Sequence, residues 1–495
     1  MEFSGNIVKS LQNKSILVTG STGFLAKIFI EKILSVQPNV KKLFLLIRAT
    51  DTNSAKQRLH EEVMQNNLFK VLREKYGEDF ESFILNKVTP LPGDVIYENM
   101  GVQNTEMLEE MLKEVDIIVN IAANTRFDER YDVLLEVNTF GSMNVLNFAK
   151  KCVKLEMLLH VSTAYVCGET SGVILEKPFR MAETPNGELG LDILQEQTIV
   201  KDTLNELRDL NATKEEQRSA MKELGMRRAR LYGWPNTYTF TKAMAEMMMG
   251  QCRGNLPLVI IRPTVVTSTF REPFPGWIEG TRHVDSLAVA YGNGKVKCFL
   301  GNPTYVIDMI PGDMVVNAMI VAMVIHANQS SVEYIYHIGS SSKNPCTPNK
   351  IADFGYKYFV KNPVIGKNGK PIMVKRPTLL TSMASFRRYM STRYILPLKV
   401  FKVANVLCCC NYYHQSYSLM KKKIGYVMYL VKLFGPFIYF NGIFDDQNTD
   451  RLRTAMNSNT VDAETFYFDP RCIDWEDYAI NIHLPGVEKY NNLKL

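Results

Sequence analysis

Tyr238 and Lys242 stand four positions apart in the run YTFTK, so on a helix they share one face about one turn apart. A tyrosine ionises near pH 10 and is a poor proton donor at neutral pH. A lysine ammonium one turn away favours the phenolate, and each unit by which it lowers that ionisation corresponds to about 1.4 kcal/mol. The phenol thereby becomes a better general acid. Thr163, in LHVSTAYV, can hold the same carbonyl oxygen through its hydroxyl, with Ser162 as the less favoured substitute. Fixed donors at a growing oxyanion contribute a few kcal/mol, so these groups suit reduction of a carbonyl.

The Y-x-x-x-K spacing recurs at Tyr291 to Lys295, Tyr417 to Lys421 and Tyr490 to Lys494, and context separates the four. The first of these three encloses Gly292 and Gly294, poor helix material, and the last lies at the polar chain end. The pair at Tyr417 could be helical but lies far outside the strand-helix alternation. Only Tyr238 opens an amphipathic helix, with Ala243, Met244 and Met247, that precedes a further strand, LVIIR, at Leu258 to Arg262.

A hydride source must lie beside that helix, and Ser15 to Ile30 supplies a place for one. Ile16, Leu17 and Val18 form a short apolar run of the kind covered on both faces of a sheet. Gly20, Gly23 and Ala26 follow at G-x-x-G-x-x-A spacing, which lets the backbone turn tightly and a pyrophosphate approach main-chain N–H groups. The helix N-terminus adds partial positive charge there. The next strand, KLFLLIR, ends in Arg48, which can take a ribose 2′-phosphate where an acidic residue would bind the hydroxyl. That favours NADPH over NADH, with Arg58 as a second phosphate contact; a solvated strand end is the alternative for Arg48.

Further strands are expected at Val88 to Asp94, Val115 to Ala123, Leu155 to Val166 and Tyr334 to Ile338, with helices between. Asn120, Ala122 and Ala123 leave room for a cofactor across the end of one of them. This alternation predicts an α/β, doubly wound parallel sheet, which places ligands at the carboxyl ends of its strands. Thr163 and Tyr238 are 75 positions apart, leaving room for an inserted helical segment over 168–233. Its basic end, MRRARLYGW, offers Arg227, Arg228 and Arg230 either to acidic phosphates or to solvent.

With 495 residues the chain is too long for one typical domain, and its 46% hydrophobic and 22% charged residues are ordinary for a folded protein. A net charge of +7 suits phosphate-rich ligands or an anionic membrane surface better than a nucleic-acid duplex. Nine cysteines occur without a C-x-x-C pair, so neither zinc nor any other metal site is expected. Free thiols and no signal-peptide pattern suit a reducing, cytosol-facing location. Cys408, Cys409 and Cys410 could accept acyl chains or simply be buried, and the final LKL is too weak a peroxisomal signal to use.

Residues 1–344 are expected to form the reductase domain, 345–390 a linker or peripheral subdomain, and 391–495 a helical, apolar C-terminal domain. Within the last, Leu396 to Cys410 and Ile424 to Phe444 are apolar and aromatic. Lys432, Gly435 and Pro436 interrupt the second, which disfavours a spanning helix. Flanked by Lys421, Lys422 and Lys423, it reads either as a segment lying on a membrane surface or as part of a buried helical pair. His337 has no metal partner at ligand spacing and is expected to be structural.

The combination of TGSTGFLAK, IAANTRFD, LHVSTAYV, YTFTK and IIRPTVV resembles the alcohol-forming fatty acyl-CoA reductases of the extended short-chain dehydrogenase/reductase family. The resemblance spans roughly residues 10–340 and implies a Rossmann-type sheet. It further implies NADPH-dependent reduction of a fatty acyl-CoA to a primary alcohol in two hydride steps through a bound aldehyde. Thr163, Tyr238 and Lys242 would be catalytic. The cofactor would lie against Gly20, Thr22, Gly23, Phe24, Leu25, Arg48, Arg58, Asp94, Asn120, Ala122 and Pro263 as well as Tyr238 and Lys242. Asp313 opens a helix that carries a residue near the substrate in many such proteins. Peripheral association with the cytosolic face of the endoplasmic reticulum, or a cytoplasmic location, is the matching expectation. The competing readings are an oxidoreductase acting on a nucleotide sugar or another small carbonyl compound, and a cofactor-binding scaffold without turnover.

Overall fold

The computed structural model describes residues 5–281, 283–329, 333–366, 368–407, 414–456 and 460–490. Its centre is β1 (Ser15–Thr19), every residue of which is buried, followed through the glycine turn by helix α1 (Phe24–Val36). Six more strands join it in one parallel sheet: β2 (Lys42–Ile47), β3 (Val88–Pro92), β4 (Ile117–Asn120), β5 (Met157–Val161), β6 (Leu258–Pro263) and β7 (Glu333–Ile338). The order across the sheet is β7-β6-β5-β4-β1-β2-β3. Ile16 stands opposite Leu43 of β2 on one side and Ile117 of β4 on the other. The direction of winding therefore reverses between β1 and β4, and at such a switch point a crevice opens outside the strand ends.

Helices cover the sheet because its strands are apolar on both faces. Leu17, Phe44, Ile118, Leu158 and Ile260 enter one core with Val145, Leu146 and Phe148 of α2 (Gly141–Lys151). The 168–233 segment begins and ends at one place, where the Glu169 N–H donates to Gly233 O at 3.3 Å. Its two long helices are α3 (Ile193–Asp209), capped by Asp192, and α4 (Lys214–Leu231), opened by a Thr213–Glu216 capping box. Helix α5 (Thr237–Cys252) starts at Asn236, whose side chain accepts from the Thr239 N–H at 2.9 Å, and is buried along nearly its whole length. Another helix, the wholly buried α6 (Gly312–Ile325), follows the loop after β6.

Two compact units divide the chain, one of their boundaries falling after Asn344 as expected and none at 390. The sheet unit takes the chain up to Glu279, then Asp308–Asn344 and, from the C-terminal third, Ile443–Ile473. The smaller unit is assembled from Gly280–Ile307, Pro345–Gly442 and the chain from Asp474 onward. Within that smaller unit Cys298–Leu300 pairs in parallel with Thr378–Leu380, and Tyr291, Tyr358, Phe359 and Leu484 share a core. Residues 345–390, expected as a linker or peripheral subdomain, carry a helix over Pro348–Lys361 and lie within this smaller unit.

The same unit holds α7 (Leu396–Leu407) and α8 (His414–Ile438). Ile424, Val427, Met428 and Val431 recur at helical spacing and pack on Leu380, Phe386 and Met390, while Leu419, Met420 and Tyr426 remain exposed. One face of α8 is therefore core and another is not. No helix among the described residues is long and apolar enough to cross a membrane. Cys408 to Cys410 and the final LKL lie outside the described residues.

Candidate active site

Gly20 follows β1 with φ +68°, and a Cβ there would come within 2.9 Å of Ala122, which follows β4. Only glycine satisfies both the left-handed backbone and that approach. The two turns at the switch point are locked together further: the Ala122 N–H donates to Thr19 Oγ1 at 3.1 Å and the Gly23 N–H to Gly20 O at 2.8 Å. Gly23, the residue before α1, makes no side-chain bond to the first turn, which begins at the switch point. Thr22 and Leu25 are half-buried on that turn. The Phe24 ring is buried and stacked on Trp277 at 5.1 Å.

At the end of β2, Arg48 is exposed and its guanidinium has no partner among the described residues, while its carbonyl accepts from Arg58 Nη1 at 2.5 Å. Arg58 is also paired with Glu62, with Nε–Oε1 at 2.6 Å. The free cation at this strand end is Arg48, and Arg58 braces the backbone beneath it. Asp94 is half-buried in the turn after β3, its N–H donating to Met100 O and its carboxylate accepting from the Ile96 N–H at 3.3 Å. Pro263, the last residue of β6, is buried opposite Ile338.

Asn120 reaches the crevice but its amide is committed inward. Its Oδ1 accepts from Thr19 Oγ1 at 2.6 Å, and its Nδ2 lies 3.0 Å from His160 Nδ1. This contact removes the Asn120 side chain from the groups free to meet a cofactor.

Helix α5 presents Tyr238 half-buried, its ring stacked on Phe127 at 5.6 Å, and one turn later the fully buried Lys242. Lys242 Nζ donates to Val161 O at 2.7 Å and lies 3.1 Å from His160 Nε2. The amine is therefore fastened to the last residues of β5, two positions before Thr163. Burial brings the ionisation of Lys242 down to about 7, opposed by the carboxylate of Glu246 one turn further on. Glu246 is itself paired with Arg262 of β6, both at 2% exposure or less. Asn138 and Thr139, just before α2, bond Thr241 Oγ1 at 3.1 Å and Thr241 O at 2.8 Å, fixing the helix from its other side.

Thr163 is extended at φ −149° and begins a short 3-10 turn, where its Oγ1 accepts from the Tyr165 N–H at 3.4 Å. Its hydroxyl proton has no acceptor among the described residues. Ser162 donates its N–H to Ile261 O at 2.7 Å, and its buried hydroxyl is also without a partner there. Val166, in the turn after Thr163, accepts from Trp234 Nε1 at 2.7 Å, and Trp234 packs on Phe240 of α5 at 5.1 Å. The exit of β5 and the start of α5 are thus joined by two independent contacts.

The basic end of α4 divides. Arg228 forms a bidentate pair with Glu196 of α3, which is 1% exposed and also accepts from Tyr131 OH at 2.8 Å. Arg228 is therefore a half-buried structural cation, a correction to its expected availability for phosphate. Arg227 and Arg230 are exposed. Asp313 is buried at the start of α6 and accepts from the N–H groups of Phe270, Arg271 and Glu272 at 2.8–3.0 Å, so it shapes the loop after β6. His337 donates from Nδ1 to Asp445 O and accepts at Nε2 from Arg262 Nη1, and burial lowers its ionisation to about 3. Sequence reasoning missed His160, although a lone histidine inside the apolar strand MLLHV was a visible signal.

A doubly wound sheet with a glycine turn at its switch point and a Tyr-Lys helix at the next strand end defines an NAD(P)-binding reductase fold. Two family profiles, each described as "Male sterility protein", match residues 18–319 and 393–493. The chain is 53% identical over 484 residues to Fatty acyl-CoA reductase 1 of Arabidopsis thaliana, covering 97% of this chain and 98% of that protein. It is 50% identical over 491 residues to the Alcohol-forming fatty acyl-CoA reductase of Simmondsia chinensis, covering 99% of each. The chain belongs to the fatty acyl-CoA reductase family. The fold is shared with the terminal R domain of the myxalamid PKS-NRPS pathway, at TM-score 0.56 and 16% identity over 100% of this chain and 93% of that one.

Proposed function

We propose that the protein reduces a fatty acyl-CoA to a primary alcohol with NADPH, in two hydride steps through an aldehyde that stays bound. The observation that carries the reading is the fastening of the Tyr238–Lys242 helix to the exit of β5, through Lys242 Nζ and Val161 O, beside Thr163. NADPH, when bound, supplies the hydride. Tyr238 gives its proton to the carbonyl oxygen, and the Thr163 hydroxyl, which has a proton to donate, steadies the negative charge. Collapse of the tetrahedral adduct expels CoA as a thiolate, and the same residues then serve the aldehyde. No cysteine is needed as a nucleophile: burial raises Cys167, near the site, to about 12.

Arg48, the exposed and unpaired cation at the end of β2, supports the 2′-phosphate form of the cofactor. Arg227 and Arg230 remain the candidates for CoA phosphates on α4. Between Asp353 and Asp445 the chain carries fifteen Lys and Arg and no acidic residue. With Leu419, Met420 and Tyr426 exposed beside Lys421, Lys422 and Lys423, this supports peripheral binding to an anionic membrane, at the cytosolic face of the endoplasmic reticulum. Incubation of the purified chain with NADPH and a panel of acyl-CoAs, followed by product identification, tests the reaction: a primary alcohol is expected, and an absence of thioester reduction across the panel refutes it.

A further inference from the structure

Behind Tyr238 and Lys242 runs a buried chain of hydrogen bonds that the reaction as described does not use. Lys242 Nζ lies 3.1 Å from His160 Nε2, His160 Nδ1 lies 3.0 Å from Asn120 Nδ2, and Asn120 Oδ1 accepts from Thr19 Oγ1 at 2.6 Å. All four side chains are at most 1% exposed. Burial and the neighbouring amine push the ionisation of His160 well below its ordinary range, so its ring carries one proton.

A neutral imidazole donates from one nitrogen and accepts at the other. Two self-consistent arrangements follow. When the Asn120 NH2 donates to Nδ1, the ring proton stands on Nε2 and is donated to Lys242 as a neutral amine. When the Asn120 amide turns over, which barely alters its outline, Nδ1–H donates to Oδ1, Lys242 as an ammonium donates to Nε2, and Nδ2 donates to Thr19 Oγ1, which then accepts instead of donating. In both, Lys242 keeps its bond to Val161 O.

We propose that His160 is a positioning residue that lets Lys242 pass between amine and ammonium without leaving its place, by reversing the direction of its hydrogen bonds to Lys242 and Asn120. The proposal rests on the reductase reading. In that turnover the Tyr238 O–H bond breaks as its proton passes to the substrate oxygen, while hydride from NADPH adds to the carbonyl carbon. An N–H bond of the Lys242 ammonium then breaks as the phenolate is reprotonated, and the amine is recharged by a proton from solvent.

The other groups around Lys242 leave this role to His160. On α5 itself stand Tyr238 and Glu246, and Glu246 is neutralised by Arg262 of β6. The turn after β5 brings Tyr165 and Cys167, both held protonated by burial, and Tyr131, stacked on Phe240, is held so too. Asn138, Thr139 and Ser142, from the segment leading into α2, do not titrate.

The test compares His160→Asn, which stops short of Lys242, with His160→Gln, whose longer amide reaches it. A bond to a charged donor is stronger than one to a neutral donor, so losing the Nε2 acceptor destabilises the ammonium. In His160→Asn the alkaline limb of kcat should move down by about one pH unit, with kcat near pH 8 reduced about tenfold. His160→Gln should restore the limb, and NADPH binding well below the limb should stay within about twofold in both. Wild-type limbs in both variants, or loss of folded protein in both, would overturn the proposal by assigning His160 to the core alone. The pH dependence of NADPH binding, followed by fluorescence without acyl-CoA, reads the charge on Lys242 apart from turnover. A wild-type protein that reduced no acyl-CoA would refute the functional reading, and the binding limb would still decide the role of His160.

Discussion

Removing the phenolic oxygen of Tyr238 leaves its ring free to stack on Phe127 while deleting the proton donor. Tyr238→Phe should therefore lower kcat by about 100-fold or more and leave NADPH binding nearly unchanged. Initial rates with cofactor fluorescence on the same preparation check this, and a fully active variant would remove Tyr238 from the chemistry. Arg48 tests the cofactor. Because its guanidinium is exposed and unpaired, Arg48→Ala should weaken NADPH about tenfold or more and leave NADH nearly unaffected. Equal weakening of both cofactors in a competition titration would contradict the 2′-phosphate assignment. At this scale the sequence was most informative where one side chain does one thing, as with Tyr238, Lys242 and Gly20. Lys242 was legible as a partner for the tyrosine, but its burial, and the resulting drop in its ionisation to about 7, depends on packing that no short motif records.

Among the elements, all seven strands of the sheet were legible, most plainly the inner ones, because a strand buried on both faces reads as a short continuous apolar run. Helix α5 was legible from its spacing of apolar residues, and the 168–233 insertion from the long gap before it. What MRRARLYGW could not reveal is which arginine turns inward. Periodicity alone does not distinguish them: Arg228 faces Glu196 of α3 because the two helices pack as a pair around Tyr131. Arg228→Ala leaves the Glu196 carboxylate buried without its cation and should destabilise the fold by about 3 kcal/mol or more. Arg227→Ala and Arg230→Ala should leave the melting temperature within about 1 °C and, if they hold CoA phosphates, raise KM for acyl-CoA. Thermal melts and KM values for the three variants decide it. A melting temperature unchanged in Arg228→Ala would show that the Glu196 pair contributes nothing.

For the whole molecule, domain limits were the least legible feature. Residues 280–307 and 345–442 form one unit although all of α6 and all of β7 lie between them in sequence, a long-range pairing without a local signal. The acid-free stretch from 354 to 444 belongs up to Gly442 to that smaller unit and gives it a charge and an apolar face of its own. The protein should float with vesicles containing phosphatidylserine and remain behind with vesicles of phosphatidylcholine alone. Leu419→Asp with Tyr426→Asp should reduce the floating fraction by half or more, and flotation that ignored both lipid charge and these substitutions would place the membrane contact elsewhere.

All of these effects serve one chemical event, the passage of a thioester carbonyl through two reductions on one set of residues. The most direct measurement is stoichiometric: NADPH oxidised per CoA released, followed together in one reaction of the purified chain with a saturated acyl-CoA. Two NADPH per CoA with a primary alcohol as the product is the expected result. One NADPH per CoA with free aldehyde accumulating, or NADPH oxidation without release of CoA, would contradict it.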